Sequence, residues 1–214
     1  MVENFTNYGD GYNKNVFDLV PEKSFVLDVG CSTGKLGEKL IKEKKCRVFG
    51  VDFSPKAIKI ASKRLDKTNF FNLDSEGLPF DNNKFDVIIF ADVLEHIKQP
   101  DLVLKKFKKI LSDDGIVITS IPNIGYVSSR IRHLFGKWDY YETGLMDKTH
   151  IRFFTFKTMS ELFLNTGYSV IKSDFIPGIG FFEKFNKLIK LRKIICRLYP
   201  RLFAIQFIFV IKKG

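Results

Sequence analysis

Short apolar runs that alternate with longer segments of helical period limit the fold of this chain more than any other feature. Five such runs stand at 25–29, 47–51, 69–73, 85–90 and 115–121, and the segments 35–45, 55–66 and 101–111 between them have the period of helices. This alternation predicts an α/β fold, doubly wound and Rossmann-like, with a mainly parallel sheet.

The remainder of the chain completes this pattern. Residues 122–155 are rich in glycine and aromatic residues, and we predict that they form an insertion at one edge of the sheet. A helix at 158–165, a strand at 168–175, a basic helical stretch at 181–199 and a last strand at 204–212 follow. Together they predict a seven-stranded sheet with an antiparallel closing strand, in one domain that covers residues 1–214.

The positive charge of the chain is concentrated near its C-terminal end. The net charge is +11, and residues 181–214 contain nine Lys or Arg and one Glu. A nucleic-acid footprint is spread more widely, so we predict no nucleic-acid partner. The basic helix 181–199 suits peripheral contact with an anionic membrane, and packing on the sheet is the alternative.

Cysteine content and hydropathy indicate the compartment. Three widely spaced cysteines do not make a disulfide framework, and the longest apolar run has ten residues, where a membrane span needs about 20. We therefore expect a cytoplasmic protein.

The segment LDVGCSTG at 27–34 joins a predicted buried strand to a helix through a turn of small residues. Such a turn lets backbone amides and a helix N-terminus face the negative part of a ligand. A P-loop requires a hydroxyl residue after its lysine, but Leu36 follows Lys35. A dinucleotide fingerprint requires glycine at the positions of Ser32 and Lys35, so both classes fit badly.

A third class fits better. Asp28, Gly30, Gly34 and Asp52 resemble the first two motifs of class I S-adenosylmethionine-dependent methyltransferases, and the resemblance continues through 78–97 and 108–123. Asp52 stands 22 residues after Gly30, about the offset at which an acidic side chain meets ribose hydroxyls. Ser32 departs from the family pattern, which has glycine there.

The resemblance implies S-adenosylmethionine as cofactor and S-adenosylhomocysteine as product. It implies these cofactor-binding residues: Asp28, Gly30, Cys31, Ser32, Gly34, Asp52, Phe53, Asp74 and Ala91, with Tyr12 from an N-terminal lid at 1–24.

Candidate catalytic residues follow the fourth predicted strand. Asp92, Glu95 and His96 stand at i, i+3 and i+4 and share one face if a helix begins there. We predict His150, His96 and Asp92 as the residues that act on the acceptor, and we assign no metal ligand. The alternatives are a divalent metal held by these residues with Glu95, and a purely structural role for the histidines.

The acceptor is indicated by a second resemblance. Residues 136–155 are similar to the acceptor-side insertion of methyltransferases associated with glycan and polysaccharide biosynthesis. The resemblance implies O- or N-methylation of a small-molecule or saccharide acceptor, such as a lipid-linked saccharide. The aromatic residues Trp138, Tyr140 and Tyr141 either stack on its sugar rings or pack only the small core of the insertion itself. The alternatives are a small-molecule O-methyltransferase of the quinone-biosynthesis type and a non-catalytic protein that binds the cofactor.

Overall fold

The computed structural model describes residues 11–75, 77–80, 82–178 and 189–214. The helices are α1 (Lys14–Leu19), α2 (Lys35–Lys44), α3 (Pro55–Ala61), α4 (Pro100–Phe107), α5 (Val127–Leu134), α6 (Phe156–Asn165), α7 (Ile189–Leu198) and α8 (Pro200–Phe203), with 3₁₀ turns at Leu94–His96 and Lys108–Ile110. The strands are β1 (Phe25–Val29), β2 (Arg47–Asp52), β3 (Lys67–Phe70), β4 (Phe85–Ala91), β5 (Leu111–Pro122), β6 (Tyr168–Pro177) and β7 (Ala204–Lys213).

The seven strands form one sheet in the order β3-β2-β1-β4-β5-β7-β6. Neighbouring strands are parallel except that β7 runs antiparallel to both β5 and β6. This arrangement confirms the predicted doubly wound sheet with its antiparallel closing strand. Strand order reverses between β1 and β4, and ligands of open α/β sheets bind beyond the carboxyl ends of strands at such a point.

Two apolar clusters cover the two faces of the sheet. Along β1, Leu27 and Val29 belong to one cluster and Val26 to the other, because successive side chains point to opposite faces. A strand buried on both faces needs apolar residues at almost every position, which is why the central strands were readable as continuous apolar runs.

Four predicted boundaries differ from the structure by three residues or more. Helix α4 ends at Phe107 and not at 111, because a 3₁₀ turn follows and Leu111 begins β5. The third strand ends at Phe70 and not at 73, because Asn72 and Ser75 make a turn in which the Asn72 side chain accepts the N–H of Asp74 at 3.0 Å. Helix α3 ends at Ala61 and not at 66. Strand β5 begins at Leu111, four residues before the prediction, with a register shift opposite Phe85 to Val87 that accommodates the polar residues 113–115.

The described part of the predicted lid is a fixed part of the body. Val16 and Phe17 on α1 are buried, and Lys44 Nζ donates to the carbonyl groups of Phe17 at 2.7 Å and Val20 at 2.5 Å. Residues 1–10 lie outside the described residues.

The predicted basic helix is described only from Ile189 onward, as α7. Cys196 is buried against the body, whereas Ile194, Arg197 and Leu198 are exposed. Residues 181–188 lie outside the described residues, so membrane contact stays a prediction. Within the described ranges, none of the helices has the length and apolar character needed to cross a bilayer.

Candidate functional site

The loop after β1 depends on two glycines with left-handed backbone. Gly30 and Gly34 have φ of +73° and +79°. A Cβ at Gly30 would lie 2.6 Å from Val93 Cγ2, and one at Gly34 would lie 3.2 Å from Ala61 Cα. These glycines therefore let the loop pack tightly against the segment after β4 and against α3.

Cys31 and Ser32, which lie between these glycines, differ in their surroundings. Ser32 also has a left-handed backbone, with φ of +49°, which explains why the family pattern has glycine at this position. The Cys31 side chain is buried in the core, and its N–H donates to Val51 O at 3.0 Å. Burial raises the pKa of the Cys31 thiol, and the cofactor role of this residue stays a prediction.

Asp52, at the carboxyl end of β2, ties this loop to α3. Its Oδ2 accepts the N–H of Ser32 at 2.9 Å, and its Oδ1 accepts the N–H of Ser54 at 2.8 Å. The carboxylate is thus held in one orientation by two backbone groups. The next residue, Phe53, is 75% exposed, so its ring is open to a ligand that meets Asp52.

A second carboxyl group lies close to Asp52. Asp28, on β1, is buried, and burial followed by the charge of Asp52 raises its pKa to about 7. Burial also raises the pKa of Asp52. Two buried carboxyl groups at adjacent strand ends form an environment that a positively charged ligand would stabilise.

The other predicted cofactor residues are spread more widely. Ala91 ends β4 and pairs with Ser120 of β5. Asp74 lies in the exposed turn after β3, where its Oδ1 accepts the N–H of Lys98 at 3.3 Å. Tyr12 packs edge-on against Phe17 with ring centroids 5.6 Å apart. The cofactor roles of these three residues stay predictions.

The expected helical face that joins Asp92 to Glu95 and His96 is wrong. Asp92 has φ of +55°, and the 3₁₀ turn begins only at Leu94. The left-handed residue turns the chain away from helical geometry, so the i, i+3, i+4 spacing does not bring the three side chains together. Asp92 instead accepts a hydrogen bond from the side chain of Gln206, and burial raises its pKa to about 6.

A different set of side chains meets at this end of β4. Ligand-type atoms of Glu95, His96 and His150 lie within 4.8 Å of one another, and the two imidazole centroids are 4.8 Å apart. Glu95 is 1% exposed, and neither of its carboxylate oxygens has a hydrogen-bond partner among the described residues. The structure therefore joins His96 to His150, as predicted, but with Glu95 in place of Asp92.

Hydrogen bonds join the insertion at 122–155 to the 3₁₀ turn that carries Glu95. The carbonyl of Glu95 accepts the N–H groups of Ile151 and Arg152, each at 3.0 Å. The Arg152 guanidinium donates to Lys98 O at 3.1 Å and 2.6 Å. These contacts hold His150 beside residues 54 positions earlier in the chain.

Burial determines the charge state of the cluster. It raises the pKa of Glu95 well above its usual value, with a smaller contribution from the charge of Asp92. It also lowers the pKa of His96 and of His150. Both imidazoles are therefore neutral at neutral pH, with a nitrogen lone pair available on each.

Comparison with known proteins decides the family. A family model described as a methyltransferase domain matches residues 5–173, which is more than half of the chain. The chain belongs to this family. It is a class I S-adenosylmethionine-dependent methyltransferase, as the motifs at Gly30 and Asp52 implied, and the same family membership implies its cofactor.

Curated relatives of this methyltransferase match over part of their length. Ubiquinone biosynthesis O-methyltransferase of Pelagibacter ubique is 31% identical over 105 residues, which cover 46% of this chain and 42% of that protein. Demethylmenaquinone methyltransferase of Lactobacillus johnsonii is 30% identical over 126 residues, which cover 53% of this chain and 52% of that protein. The match therefore spans about half the length of these relatives.

Solved structures agree on the fold. An S-adenosylmethionine-dependent methyltransferase from Mesorhizobium loti superposes with a TM-score of 0.65 at 16% identity, and the match covers 94% of this methyltransferase and 96% of that chain.

The loop chemistry fits the cofactor of the family. S-adenosylmethionine has a positive sulfonium and a positive ammonium group, and the paired carboxyl groups of Asp28 and Asp52 supply complementary charge. Asp52 keeps lone pairs for ribose hydroxyls beyond the two N–H groups that it accepts. Asp28, Asp52 and the exposed ring of Phe53 are the residues that would hold it.

Proposed function

We propose that this protein transfers a methyl group from S-adenosylmethionine to a hydroxyl of a small aromatic molecule, of the kind methylated in quinone biosynthesis. The observation that carries the proposal is the pair of neutral imidazoles, His96 and His150, at the carboxyl end of β4. This position borders the glycine loop, because Val93 packs against Gly30.

The reaction needs few groups from the protein. The acceptor oxygen forms a bond to the methyl carbon while the carbon–sulfur bond breaks, sulfur keeps the electron pair, and the hydroxyl loses its proton. Positioning supplies much of the acceleration in such an in-line displacement. His96 and His150 act on the hydroxyl proton, since a phenolic hydroxyl with a pKa near 10 is a weak nucleophile until it is deprotonated.

The relatives favour this acceptor class. One of them is named a ubiquinone biosynthesis O-methyltransferase, and this name supports both the quinone-type substrate and the oxygen acceptor. A second is named a demethylmenaquinone methyltransferase and supports the quinone-type substrate alone. An O-acceptor also agrees with the site, because deprotonation of a hydroxyl is work that a buried neutral imidazole can do.

A saccharide acceptor is the second candidate, and one observation favours it. Trp138, Tyr140 and Tyr141 in the insertion are each 45% to 54% exposed, so their faces are available to a sugar ring. Against this, Trp138 stacks on His133 with centroids 4.2 Å apart, which is a contact within the insertion itself.

Methyl transfer is tested with S-adenosylmethionine that has a deuterated methyl group. The purified chain is incubated with a catechol carboxylic acid or with a nucleotide sugar, and products are identified by mass spectrometry. The proposal predicts a labelled methyl group on the catechol and none on the sugar. Labelling of the sugar alone would replace the proposal by the second candidate, and no labelling of either would contradict both.

A further inference from the structure

The cluster at Glu95, His96 and His150 has a polar arrangement that the methyl-transfer reaction alone does not explain. A carboxyl group that is 1% exposed and has no hydrogen-bond partner is unfavourable whether it is ionised or neutral, unless something pairs with it. The nearest charged or polar group of the cluster is His150 Nε2, 4.0 Å from Glu95 Oε1, which is too far for a hydrogen bond.

The hydrogen bonds of the two histidines show which ring nitrogen is available. His150 Nδ1 lies 3.2 Å from the carbonyl oxygen of Leu145, and His96 Nδ1 lies 3.1 Å from that of Thr149. A carbonyl only accepts, so Nδ1 donates in both rings. The lone pair of each neutral imidazole is therefore on Nε2.

A third contact supports this tautomer of His96. The Thr149 hydroxyl donates its hydrogen to Asp147 Oδ1 at 2.6 Å, and its oxygen lies 3.1 Å from His96 Nδ1. The hydroxyl thus has only lone pairs to offer the ring. Nδ1–H to carbonyl contacts of this kind are the usual support for a metal-ligating histidine.

Two imidazole nitrogens and one carboxyl group thus meet without a hydrogen bond among them. We propose that Glu95, His96 and His150 bind a divalent transition-metal ion. Zn²⁺ or Co²⁺ is favoured over Mg²⁺ or Ca²⁺, because two of the three ligands are imidazoles. This site departs from the main sequence prediction, which assigns no metal ligand, and corresponds to its metal alternative without Asp92.

The spacing is close to that of an occupied site. Ligand atoms about 2.1 Å from a metal lie about 3 to 3.5 Å from one another. The 4.0 Å between Glu95 Oε1 and His150 Nε2 therefore requires an approach of about 0.5 to 1 Å, and the widest separation in the cluster, up to 4.8 Å, requires about 1.3 to 1.8 Å. Rotation about side-chain torsions is the movement that would supply it.

The ion would have open coordination positions, since the described residues supply three ligands. An acceptor hydroxyl bound at one of them would have a lowered pKa, so that its proton leaves to solvent before methyl transfer. In the metal-bound protein the Nε2 lone pairs of His96 and His150 are occupied, so the ion replaces the two histidines as the group that promotes loss of the proton. This role rests on the proposed function, whereas metal binding does not.

Metal binding is measured on the purified chain after treatment with a chelator and dialysis, without cofactor or acceptor. Titration with Co²⁺ is followed by calorimetry and by visible absorption, which reports nitrogen and oxygen ligation directly. We expect one Co²⁺ per chain, displaced by Zn²⁺ but not by an equal concentration of Mg²⁺. No stoichiometric binding, or displacement by Mg²⁺, would overturn the proposal.

Variants test the ligands. Glu95→Gln and His150→Gln should weaken Co²⁺ binding at least about 100-fold, more than loss of a hydrogen-bonding partner typically does. His133→Gln is the matched control, because it removes the remaining histidine, whose ring stacks on Trp138 outside the cluster. If the buried variants do not fold, His96→Gln at a half-buried position gives the same test. Equal weakening in the His133→Gln variant would contradict the assignment.

The two proposals fail separately. Co²⁺ binding without methyl transfer to any acceptor would leave the metal site standing and contradict the proposed function. Methyl transfer by a chain that binds no metal, at a rate unchanged by chelator, would contradict the metal site and leave the proposed function standing.

Discussion

At the carboxyl end of β2, both carboxylate oxygens of Asp52 accept backbone N–H groups, whereas after β4 neither carboxyl oxygen of Glu95 has a partner among the described residues. The first region is fixed by contacts within the protein. The second holds an unpaired buried acid beside two imidazoles. We propose that one site combines a prebuilt cofactor half, formed by the glycine loop with Asp28 and Asp52, and an acceptor half, formed by Glu95, His96 and His150, that is completed by what binds there.

The largest effect is expected where the two regions touch. Gly30→Ala combines a left-handed φ with a Cβ that would lie 2.6 Å from Val93 Cγ2. We expect the free energy of unfolding to fall by about 4 kcal/mol, from strain and overpacking together. Urea denaturation measures it.

Gly136→Ala is the matched control for that variant. Gly136 has φ of +69°, with nothing within 4 Å of a built Cβ. The free energy of unfolding of the Gly136→Ala variant should fall only by the strain contribution, about 1 to 2 kcal/mol. Equal losses in the two variants would show that the contact with Val93 does not constrain the loop.

The pH dependence of stability tests the buried pair in the cofactor half. Asp28 has a pKa of about 7 in the folded protein, raised from 3.8 by burial and by Asp52. The folded state binds the extra proton, so the contribution of Asp28 to stability is present below pH 4 and is lost as pH rises to about 7. Asp28→Asn does not ionise and should gain about 4 kcal/mol relative to the wild type between pH 4 and pH 8.

An exposed carboxyl group gives the control for this pH effect. A hydrogen bond from Lys213 lowers the pKa of Asp113, so its contribution to stability is complete above about pH 4 and is lost only at lower pH; Asp113→Asn should therefore have the same effect on stability at pH 5 and at pH 8. Thermal unfolding of both variants at pH 5 and pH 8 measures the difference. A gain that does not depend on pH in the Asp28→Asn variant would contradict the raised pKa.

Cofactor affinity separates the function of Asp52 from its structural contacts. Asp52→Ala removes the predicted ribose acceptor, and we expect S-adenosylhomocysteine to bind at least about 100-fold more weakly, by loss of charge-assisted hydrogen bonds. Calorimetric titration measures this.

Asp66→Ala is the comparison for the Asp52 variant. Asp66 likewise accepts a backbone N–H, from Val48 at 2.7 Å, but at the opposite end of β2. Its loss should lower stability while leaving affinity for S-adenosylhomocysteine unchanged. If both variants bound S-adenosylhomocysteine more weakly, the loss of affinity in Asp52→Ala would be explained by its lower stability and not by a lost contact with the ribose.

The smallest effect is expected at the residue that departs from the family pattern. Ser32→Gly relieves a left-handed φ of +49° and should raise the free energy of unfolding by about 1 kcal/mol. Denaturation measures it. An unchanged or lower stability would mean that the Ser32 backbone is not strained.

The local structure around the glycine loop could be predicted from the sequence because its determinants are local. The turn at Gly30, the capping residue Ser54 before Pro55 and the acidic end of β2 each depend on residues a few positions apart. The mainly parallel seven-stranded sheet with an antiparallel closing strand followed from the alternation of elements, and the structure confirms it.

The acceptor half was less predictable, for physical reasons. Regular spacing suggested that Asp92 joins Glu95 and His96, but a left-handed backbone at Asp92 breaks the helical period, and spacing alone does not report φ. The contact of Glu95 with His150 spans 55 positions and depends on how the insertion docks. The lack of a hydrogen-bond partner at Glu95 is visible only in three dimensions.

The position of S-adenosylhomocysteine in a crystal of this protein tests the central claim most directly. The account predicts both ribose hydroxyls within hydrogen-bond distance of the Asp52 carboxylate, beside the ring of Phe53, with the sulfur directed toward the end of β4. A ribose that does not contact Asp52, or a ligand bound away from the carboxyl ends of β1, β2 and β4, would contradict it.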